Sequence, residues 1–331
     1  MKSSVLPKVV AIGGGTGLST ILRGLKSFPC EISAIVTVAD DGGSSGRLRK
    51  DMGMLPPGDI RNCIIALAEA ETDMTALFGH RFQKGELKGH SFGNLFLAAM
   101  TEMTGDFQLA IRTMSRILAV KGKVLPATLS NVVLVADMED GTKVIGEANI
   151  PAANGKIKRV SLLPENPPAL DEAVYAIDTA DVIVIGPGSL YTSIIPNLLV
   201  QGIPSAVKKS KGNKVYVCNI MTQPGETDGY SACDHVRAIE EHAGRLFTYV
   251  VVNTGVPSGE LSEKYAIENK RLVLPDIGAL RAAGYMPITG DFLAGSDIAH
   301  HDSYKIARTI LDLADPRNAY GNIEITKAGL D

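Results

Sequence analysis

The 331-residue sequence has no tryptophan, and only 5% of its residues are aromatic. It also has no excess of one charge, because 33 basic and 36 acidic residues give a formal net charge of −3. Nucleic-acid-binding domains usually carry a basic stripe and a high isoelectric point, so this balance argues against a nucleic-acid partner. With 45% hydrophobic and 21% charged residues, the composition is typical of a soluble globular protein. We therefore expect a small-molecule partner first.

Cysteine is scarce as well. The four cysteines are far apart and form no C-x-x-C pair: Cys30, Cys63, Cys218 and Cys233. Neither a zinc site nor a dense disulfide framework is indicated, and a reducing cytoplasm fits this usage.

No apolar run reads as a membrane span. The longest uncharged run, residues 182–207, is interrupted by glycines and prolines and is typical of a strand, a loop and a helix. The apolar stretch after Lys8 breaks at Gly13, which is too short for the apolar region of a signal peptide. These patterns predict a cytoplasmic protein without a membrane span.

Short β-branched runs alternate with amphipathic stretches along the chain. The runs are nearly continuously apolar, as in strands that are buried on both faces of a parallel sheet. This alternation predicts an α/β fold with a doubly wound, mostly parallel sheet. The predicted strands cover residues 9–12, 32–38, 182–185, 215–218 and 249–252, and the clearest helices cover 60–69, 92–103, 107–118, 170–177, 232–242 and 304–313.

Two segments depart from the alternation. Residues 59–118 contain consecutive helical patterns and no convincing strand, which predicts a helical layer beside the sheet. Residues 131–160 contain two apolar runs about Asp140-Gly141, which predicts a β-hairpin excursion. No linker or repeat divides the chain, so we expect a single domain over residues 8–315.

The first candidate site is the stretch "VVAIGGGTGLST", a strand that runs into glycines and then into a helix. Such a turn presents backbone N–H groups and the positive end of a helix to an anion such as a phosphate. The spacing fits neither the P-loop nor the full dinucleotide motif, since Leu18 stands where the third glycine would be. A simple packing turn remains the alternative. The candidate binding residues are Gly13, Gly14, Gly15, Thr16 and Gly17.

The second candidate is "TVADDGGSSGRLR", which follows the second strand. Asp40 stands where an acid commonly accepts hydrogen bonds from a ribose diol. Asp40 or Asp41 could instead hold a Mg²⁺ ion that also touches a phosphate. The same residues form good turns without any ligand. The glycines and serines that follow predict a mobile loop, with Arg47 and Arg49 available for phosphate.

Two helix starts carry further candidates. Asp59 reads as an N-cap, although Arg61 in the same first turn opposes the helix dipole and favours a ligand. At "GHSFGN", one interpretation has Ser91 as the cap with Asn94 facing outward, and the other has His90 as an acid or base with Asn94 contacting a ligand. The catalytic candidates of the chain are thus Asp40, Asp41, Asp59 and His90.

A second strand, glycine loop and helix start occurs at "DVIVIGPGSLYTS". Gly186, Gly188 and Ser189 offer donors to an anion, and a topological switch point would bring this loop beside the first one. After the next strand, the stretch "CNIMTQPGETDGY" is too polar to belong to the core. We expect it either to contact a base or a sugar or to form a simple loop. Its candidate residues are Asn219, Thr222, Gln223 and Glu226.

Known nucleophile and metal motifs are missing: the chain has no G-x-S-x-G, no H-E-x-x-H and no Cys/His metal spacing. Any chemistry should therefore consist of positioning phosphate groups, with or without magnesium.

With these stretches together, the sequence resembles the YvcK-type gluconeogenesis-factor branch of the CofD-like superfamily. The motifs "GGGTGLS", "TVADDGGSSGRLR", "LPPGDIRN", "GHSFGN", "GPGSLYTS" and "NIMTQPGETDGY" carry the resemblance in order. It implies a Rossmann-like three-layer α/β core. It also implies a cytoplasmic factor that binds UDP-sugars such as UDP-N-acetylglucosamine and links gluconeogenic carbon metabolism to cell shape and wall synthesis. Cell-wall synthesis proteins as partners and a homo-oligomeric state are expected.

The superfamily also contains 2-phospho-L-lactate transferase, a Mg²⁺-dependent enzyme acting on a guanosine-diphosphate-linked substrate. Its glycine loop and acidic pair correspond here to residues 13–17 and to Asp40 and Asp41, whereas "LPPGDIRN" stands where the transferase has an S-P-D-L-D-T type stretch. A transferase-like enzyme is therefore the alternative function. NAD binding at the half-met dinucleotide motif is a further alternative.

Overall fold

In the computed structural model of the chain, residues 6–70, 72–295 and 300–314 are described. The strands are β1 (Lys8–Gly13), β2 (Glu31–Val36), β3 (Lys123–Pro126), β4 (Val133–Met138), β5 (Lys143–Ile145), β6 (Ile157–Leu163), β7 (Val182–Ile185), β8 (Asn213–Val217), β9 (Tyr249–Asn253) and β10 (Met286–Gly290). The helices are α1 (Gly15–Lys26), α2 (Gly43–Met52), α3 (Gly58–Leu67), α4 (Thr72–Gly79), α5 (Phe92–Thr104), α6 (Phe107–Ile117), α7 (Asn149–Ala152), α8 (Asp171–Asp178), α9 (Ile195–Leu198), α10 (Ile203–Lys209), α11 (Ala232–Ala243), α12 (Gly259–Ile267), α13 (Ile277–Ala282) and α14 (Ser303–Ala314). A π-helical turn, Leu190–Ile194, precedes α9.

A seven-stranded parallel sheet forms the centre of the fold, in the order β10-β9-β8-β7-β1-β2-β3. One group of helices (α1, α3 and α14) packs together, and a second group (α8, α9, α10 and α11) packs together. Every residue of the central strand β7 is buried. Parallel sheets with both faces covered by helices are the rule, and the fold is the predicted Rossmann-like three-layer α/β sandwich.

All five predicted strands of the main sheet are confirmed, and so are the six clear helices. The sequence patterns missed β3 and β10, which are the two edge strands of the sheet. Both are short and contain a proline, Pro126 and Pro287. Proline lacks a ladder donor and is confined largely to sheet edges, so edge strands of this kind leave a weak sequence signal.

The two departures from alternation are also confirmed. Helices α3 to α6 follow one another without a strand of the main sheet between them. The hairpin turns at Asp140, whose carboxylate accepts from the backbone and hydroxyl of Thr142 at 2.9 and 2.7 Å. β6 adds a third antiparallel strand beside β4, so this small sheet reaches Leu163, beyond the predicted end at residue 160.

The predicted mobile loop after Asp41 is wrong, since Gly43–Met52 forms helix α2. Strong helix formers fill its second half, and Gly53 ends it in the left-handed conformation that favours glycine. Arg49 donates to the backbone oxygen of Val132, 2.5 Å away, and Arg47 donates to that of Lys88. Each arginine therefore gives one of its five guanidinium donors to the backbone of a neighbouring segment, and a phosphate contact by either stays a prediction.

One apolar core contains residues of both sheets, including Ile12 of β1, Leu134 of β4 and Val160 of β6. A single domain over residues 8–315 stays a prediction, and residue 315 itself lies outside the described residues. In the described part of the chain, no helix has the length and apolar character needed to cross a membrane.

Helices α1 and α14 touch most closely at Gly24. A Cβ atom at Gly24 would overlap the carbonyl group of Ser303 and lie 3.0 Å from Ala307. We expect Gly24→Ala to lower the free energy of unfolding by about 1–3 kcal/mol through overpacking. The matched control is Gly278→Ala in α13, where the added methyl meets nothing within 4 Å. Urea denaturation that gave both variants wild-type stability would contradict this packing.

Candidate functional site

The site lies where the direction of strand order reverses. β1 and β7 are parallel neighbours, with Ile12 opposite Ile185. From β1 the chain continues to β2 on one side, and from β7 it continues to β8 on the other side. The loops that leave β1 and β7 therefore diverge, and a crevice opens at the carboxyl ends of these strands. Ligands of open α/β sheets bind in such crevices.

The two glycine loops touch each other at this point, as the sequence predicted. A Cβ atom on Gly17 would lie 2.6 Å from the carbonyl oxygen of Pro187, and one on Gly188 would lie 3.2 Å from that of Gly14. Only glycine at these positions permits so close an approach of two backbones. Asn219 fixes the second loop, because its side chain accepts from the Gly188 N–H at 3.0 Å and donates to the Gly188 carbonyl at 2.7 Å.

A cleft of about 340 Å³ opens against these loops. The N-cap residue of α1 is Gly14, which has no side chain of its own to cap the helix, and the first turn carries no acidic residue. The positive end of the helix therefore faces the cleft, which favours an anion there. The predicted binding residues that line the cleft are Gly14, Gly15, Thr16, Gly17, Gly188, Ser189, Asn219, Thr222 and Gln223.

Sequence reasoning missed one wall of the cleft. This wall consists of Ile220, Met221, Tyr265, Lys270, His300 and His301. It comes from three separated segments, and the stretch His301-Asp302-Ser303 before α14 is by sequence either a helix cap or a ligand contact. The one sequence signal for this wall is the alternation of apolar Cys218, polar Asn219 and apolar Ile220, which could have indicated that Ile220 is buried.

Glu226 makes three hydrogen bonds within the protein, and its predicted contact with a base or sugar stays a prediction. Its carboxylate accepts from the Ser189 hydroxyl at 2.5 Å, from the Tyr191 N–H at 3.3 Å and from the Thr192 hydroxyl at 3.3 Å. The residue is only 7% exposed, and burial raises the pKa of its carboxyl. Its contacts are with Ser189 and with the π-helical turn that continues the second glycine loop, so Glu226 holds that loop in place.

Thr222 also makes hydrogen bonds within the protein. Its backbone N–H donates to the Arg271 carbonyl at 2.7 Å, and its hydroxyl accepts from the Arg271 N–H at 3.0 Å. Gln223 is half-buried beside Asn219 and keeps its amide at the cleft. Of these polar residues, Gln223 is the one placed best to meet a ligand directly.

Asp59 is not the N-cap that the sequence indicated. α3 follows Pro57 at its N-cap, without a side-chain cap. The Asp59 carboxylate instead lies beneath Gly14, where a Cβ atom would be 2.5 Å from its Oδ2, and it accepts a hydrogen bond from the Gly15 backbone. Burial, with the nearby Asp40 charge, raises the pKa of Asp59 to about 6.

Asp40 and Asp41 face different partners. Asp40 accepts from the Gly42 N–H at 2.9 Å, and its other oxygen lies beside Gly58. Both oxygens of Asp41 accept backbone N–H groups from the turn at Glu147 and the next residue, at 3.1 and 2.9 Å. Asp41 therefore anchors the small antiparallel sheet to the main one. Neither aspartate lines the cleft of the glycine loops.

Glu147 completes an acidic group that the sequence did not reveal, because it follows the hairpin far from Asp40 in the chain. Burial raises the pKa of Glu147 to about 8, and the charges of Asp40 and Asp59 add to this rise. No group of three or more His, Cys, Asp or Glu side chains arranged for a metal ion occurs in the ranges that the structure describes. Magnesium at Asp40 stays a prediction.

His90 and Asn94 meet at Ser44 of α2. The Ser44 hydroxyl lies 3.0 Å from His90 Nδ1 and accepts from Asn94 Nδ2 at 3.1 Å. Asn94 is 2% exposed, so the interpretation that it faces outward is wrong. Ser91 caps α5 as expected, and Arg61 donates to its hydroxyl rather than standing free for a ligand. These residues join α2, α3 and α5.

Gly13 and Gly186 belong to the same turns but do not face the cleft. Gly13 is the last residue of β1, and its carbonyl accepts from Asn197 at 3.0 Å. Their contacts with a ligand stay predictions, as do those of all the other candidate residues.

Glu147 gives the protein a predicted pH dependence. Its pKa is about 8 when folded and about 4.5 when unfolded, so the folded state binds more protons between these values, and stability falls as pH rises through that window. Glu147→Gln mimics the protonated form. We expect this variant to match the wild type near pH 5 and to exceed its unfolding free energy at about pH 8.

Glu165→Gln, at an exposed position, is the control and should follow the wild type at both pH values. Chemical denaturation at the two pH values measures the difference. A constant difference between wild type and Glu147→Gln would show that Glu147 does not titrate in this window.

Comparison with known proteins places the chain in a family. The model of the family "2-phospho-L-lactate transferase CofD" matches residues 9–293. The chain is 53% identical over 307 residues to the gluconeogenesis factor of Halalkalibacterium halodurans, covering 92% of this chain and 95% of that protein. It is 52% identical over 311 residues to the gluconeogenesis factor of Bacillus subtilis, covering 93% and 98%. A crystal structure of a UPF0052 family member from Bacillus halodurans superposes with a TM-score of 0.91 at 52% identity, covering 93% of this chain and all of that one. The motifs, the switch-point cleft and these matches agree, and the chain belongs to the CofD family, among relatives that carry the name gluconeogenesis factor.

Proposed function

We propose that this protein binds a nucleoside-diphosphate sugar of the UDP-N-acetylglucosamine type. The observation that carries the proposal is the meeting of two glycine loops, at Gly14–Gly17 and at Gly188, beside the N-terminus of α1. Backbone N–H groups and a helix N-terminus stabilise a phosphate without any charged side chain. The first loop supplies these donors, and the second loop, whose Gly188 N–H is bound to Asn219, forms the opposite wall of the cleft.

Size and charge of the cleft support the same ligand class. A volume of about 340 Å³ lies at the small end of the range for ligand pockets and suits part of a nucleotide sugar, with the rest extending into the opening. Lys270 and His300 stand on its wall. The ammonium of Lys270, with the dipole of α1, attracts an anion to the cleft, whereas burial lowers the pKa of His300 and disfavours its charged form.

The name of the relatives supports the metabolic part of a cellular role. We infer that ligand binding makes the chain a cytoplasmic gluconeogenesis factor that links carbon metabolism to cell shape and wall synthesis. It would act on cell-wall synthesis proteins and as a homo-oligomer. The relatives' name supports the metabolic part, and the family resemblance supports the rest.

A second candidate function is Mg²⁺-dependent transfer of a phosphate-linked group. The acidic group of Asp40, Asp59 and Glu147 beside the first glycine loop favours it. Asp40 is the preferred carboxylate for a magnesium ion, since both oxygens of Asp41 already accept backbone N–H groups. Magnesium would neutralise charge on the phosphates there. This function predicts a chemically altered nucleotide after prolonged incubation with Mg²⁺ and its loss in Asp40→Asn.

A thermal-shift panel tests the proposal. UDP-N-acetylglucosamine, UDP, GDP and NAD are each added with and without Mg²⁺. A ligand that binds the native state at about 100 times its dissociation constant adds about 2.7 kcal/mol of stability, so UDP-N-acetylglucosamine should raise the unfolding midpoint most. If no uridine nucleotide raises the midpoint, the proposal fails, and a shift by NAD alone would favour the dinucleotide alternative.

An isosteric pair at Thr16 tests the anion site itself. Thr16 is exposed in the first turn of α1 and lines the cleft. Thr16→Asp adds a negative charge that suits the helix dipole but repels a diphosphate, so affinity for UDP should fall at least about tenfold. Thr16→Asn has nearly the same shape without the charge and should bind close to wild type. The affinities are measured by calorimetric titration. If the two variants bind UDP equally well, the diphosphate does not bind at this end of the cleft.

A further inference from the structure

The segment between α4 and α5, residues 80–91, gathers basic side chains away from the cleft. Backbone hydrogen bonds close it into an ordered turn, since the Gly89 N–H donates to the Phe82 carbonyl at 2.8 Å and the Phe82 N–H donates to the His90 carbonyl at 2.9 Å. None of its basic neighbours is among the residues that line the cleft of the glycine loops. These neighbours are Arg47, Arg61, Arg81 and His90.

Two exposed arginines lie side by side at the end of this turn. Arg47, in α2, donates to the Lys88 carbonyl at 2.9 Å, and Arg81 donates to the Gly89 carbonyl at 2.5 Å. A Cβ atom on Gly89 would lie 3.0 Å from Nη2 of Arg47, so both guanidinium groups are close to the same glycine. Each uses one of its five N–H donors in these bonds and keeps the others for a further partner.

Arg61 and His90 bring two further basic groups to the same place. Arg61, in α3, is only 8% exposed and donates to the hydroxyl of Ser91. Burial lowers the pKa of its guanidinium, and the charge of Arg81 adds to this effect, whereas two carboxylates of the acidic group oppose it. Nδ1 of His90 lies 3.0 Å from the Ser44 hydroxyl.

The positive charges at this turn lack matching carboxylates. None of the three arginines (47, 61 and 81) forms an ion pair within the described ranges of the chain. Burial and the charges of Arg47 and Arg81 lower the pKa of His90, against a smaller opposite effect of Asp51. Like charges that are held together repel each other, so an anion that joined them would be stabilised.

The geometry of the donors favours phosphate among anions. A guanidinium presents its N–H groups in a planar fork that binds two oxygens of one phosphate, and two forks beside each other can share one such group. The turn leads directly into α5, whose first turn has no acidic residue, so the positive end of this helix adds to the attraction. Because Arg47 and Arg81 are exposed, an anion reaches them from solvent.

We propose that Arg47 and Arg81 bind the phosphate group of a small phosphate monoester at the turn before α5, with His90 beside it. This phosphate site is separate from the nucleotide cleft and goes beyond the proposed function, because it does not require a nucleotide to be bound. The protein then senses a second, phosphorylated molecule. Arg61 contributes its charge without contacting the ligand.

Titrations by calorimetry with methyl phosphate and with inorganic phosphate test the site. They are made at constant ionic strength and in the Thr16→Asp background, where the added charge disfavours phosphate at the glycine loops. We expect Arg47→Gln and Arg81→Gln each to lower the affinity for methyl phosphate about tenfold, the loss typical of a hydrogen bond to a charged group. Arg47→Lys keeps the charge without the fork and should show a smaller loss.

The matched control is Arg116→Gln in α6, which removes one exposed arginine far from the turn in sequence and should leave phosphate affinity unchanged. Arg47→Gln in the otherwise natural chain should also keep its affinity for UDP. A second measurement follows the imidazole ¹H resonance of His90, identified by its absence from His90→Gln, through a pH titration by NMR. Methyl phosphate should raise the pKa of His90, because a bound dianion offsets the charges of Arg47 and Arg81.

The possible results differ in what they overturn. Equal phosphate affinity of Arg47→Gln, Arg81→Gln and Arg116→Gln, together with an unchanged pKa of His90, overturns the proposal. Binding of inorganic phosphate without binding of methyl phosphate overturns the monoester as the ligand. An equal loss of UDP affinity in Arg47→Gln assigns this arginine to the nucleotide site and overturns the separate phosphate site. Failure of every uridine nucleotide in the thermal-shift panel overturns the proposed function, whereas the tenfold losses of phosphate affinity would still support the phosphate site.

Discussion

The contact between the two glycine loops is the constraint on which the site depends. Gly17 meets Pro187, and Gly188 meets Gly14, at distances that no larger residue could keep. The contact exists because β1 and β7 are parallel neighbours whose connections run in opposite directions. The N-terminus of α1 can then face a cleft that the second loop closes on the other side, without the desolvation cost of buried lysine or arginine side chains.

Much of the polar chemistry around the cleft supports these loops rather than a ligand. Asn219 holds Gly188 by both its N–H and its carbonyl, and Glu226 collects three donors from the turn that follows Ser189. Buried polar groups must be paired, so each supporting side chain also makes its neighbours rigid. A preorganised loop loses less conformational entropy when an anion binds.

A second level of organisation joins the small antiparallel sheet to the main one. Asp41 binds backbone of the turn at Glu147, and this brings Glu147 near Asp40 and Asp59. Carboxyl groups held close together and away from water stay protonated to a higher pH. The acidic group therefore joins residues from the loop after β2, from α3 and from the hairpin excursion.

The sequence alone determined the α/β class, the central strands, the helical segment and the two glycine loops, because these depend on local periodicity and turn chemistry. It did not reveal the proline-containing edge strands, the helix after Asp41 or the role of Asp59, since a capping position looks the same whether its carboxylate turns to its own helix or to another loop. Only the tertiary structure decided that Glu226 faces inward, that Glu147 joins Asp40, and that His301 borders the cleft. Those relations link residues far apart in the chain, and sequence periodicity carries no information about which distant side chains meet.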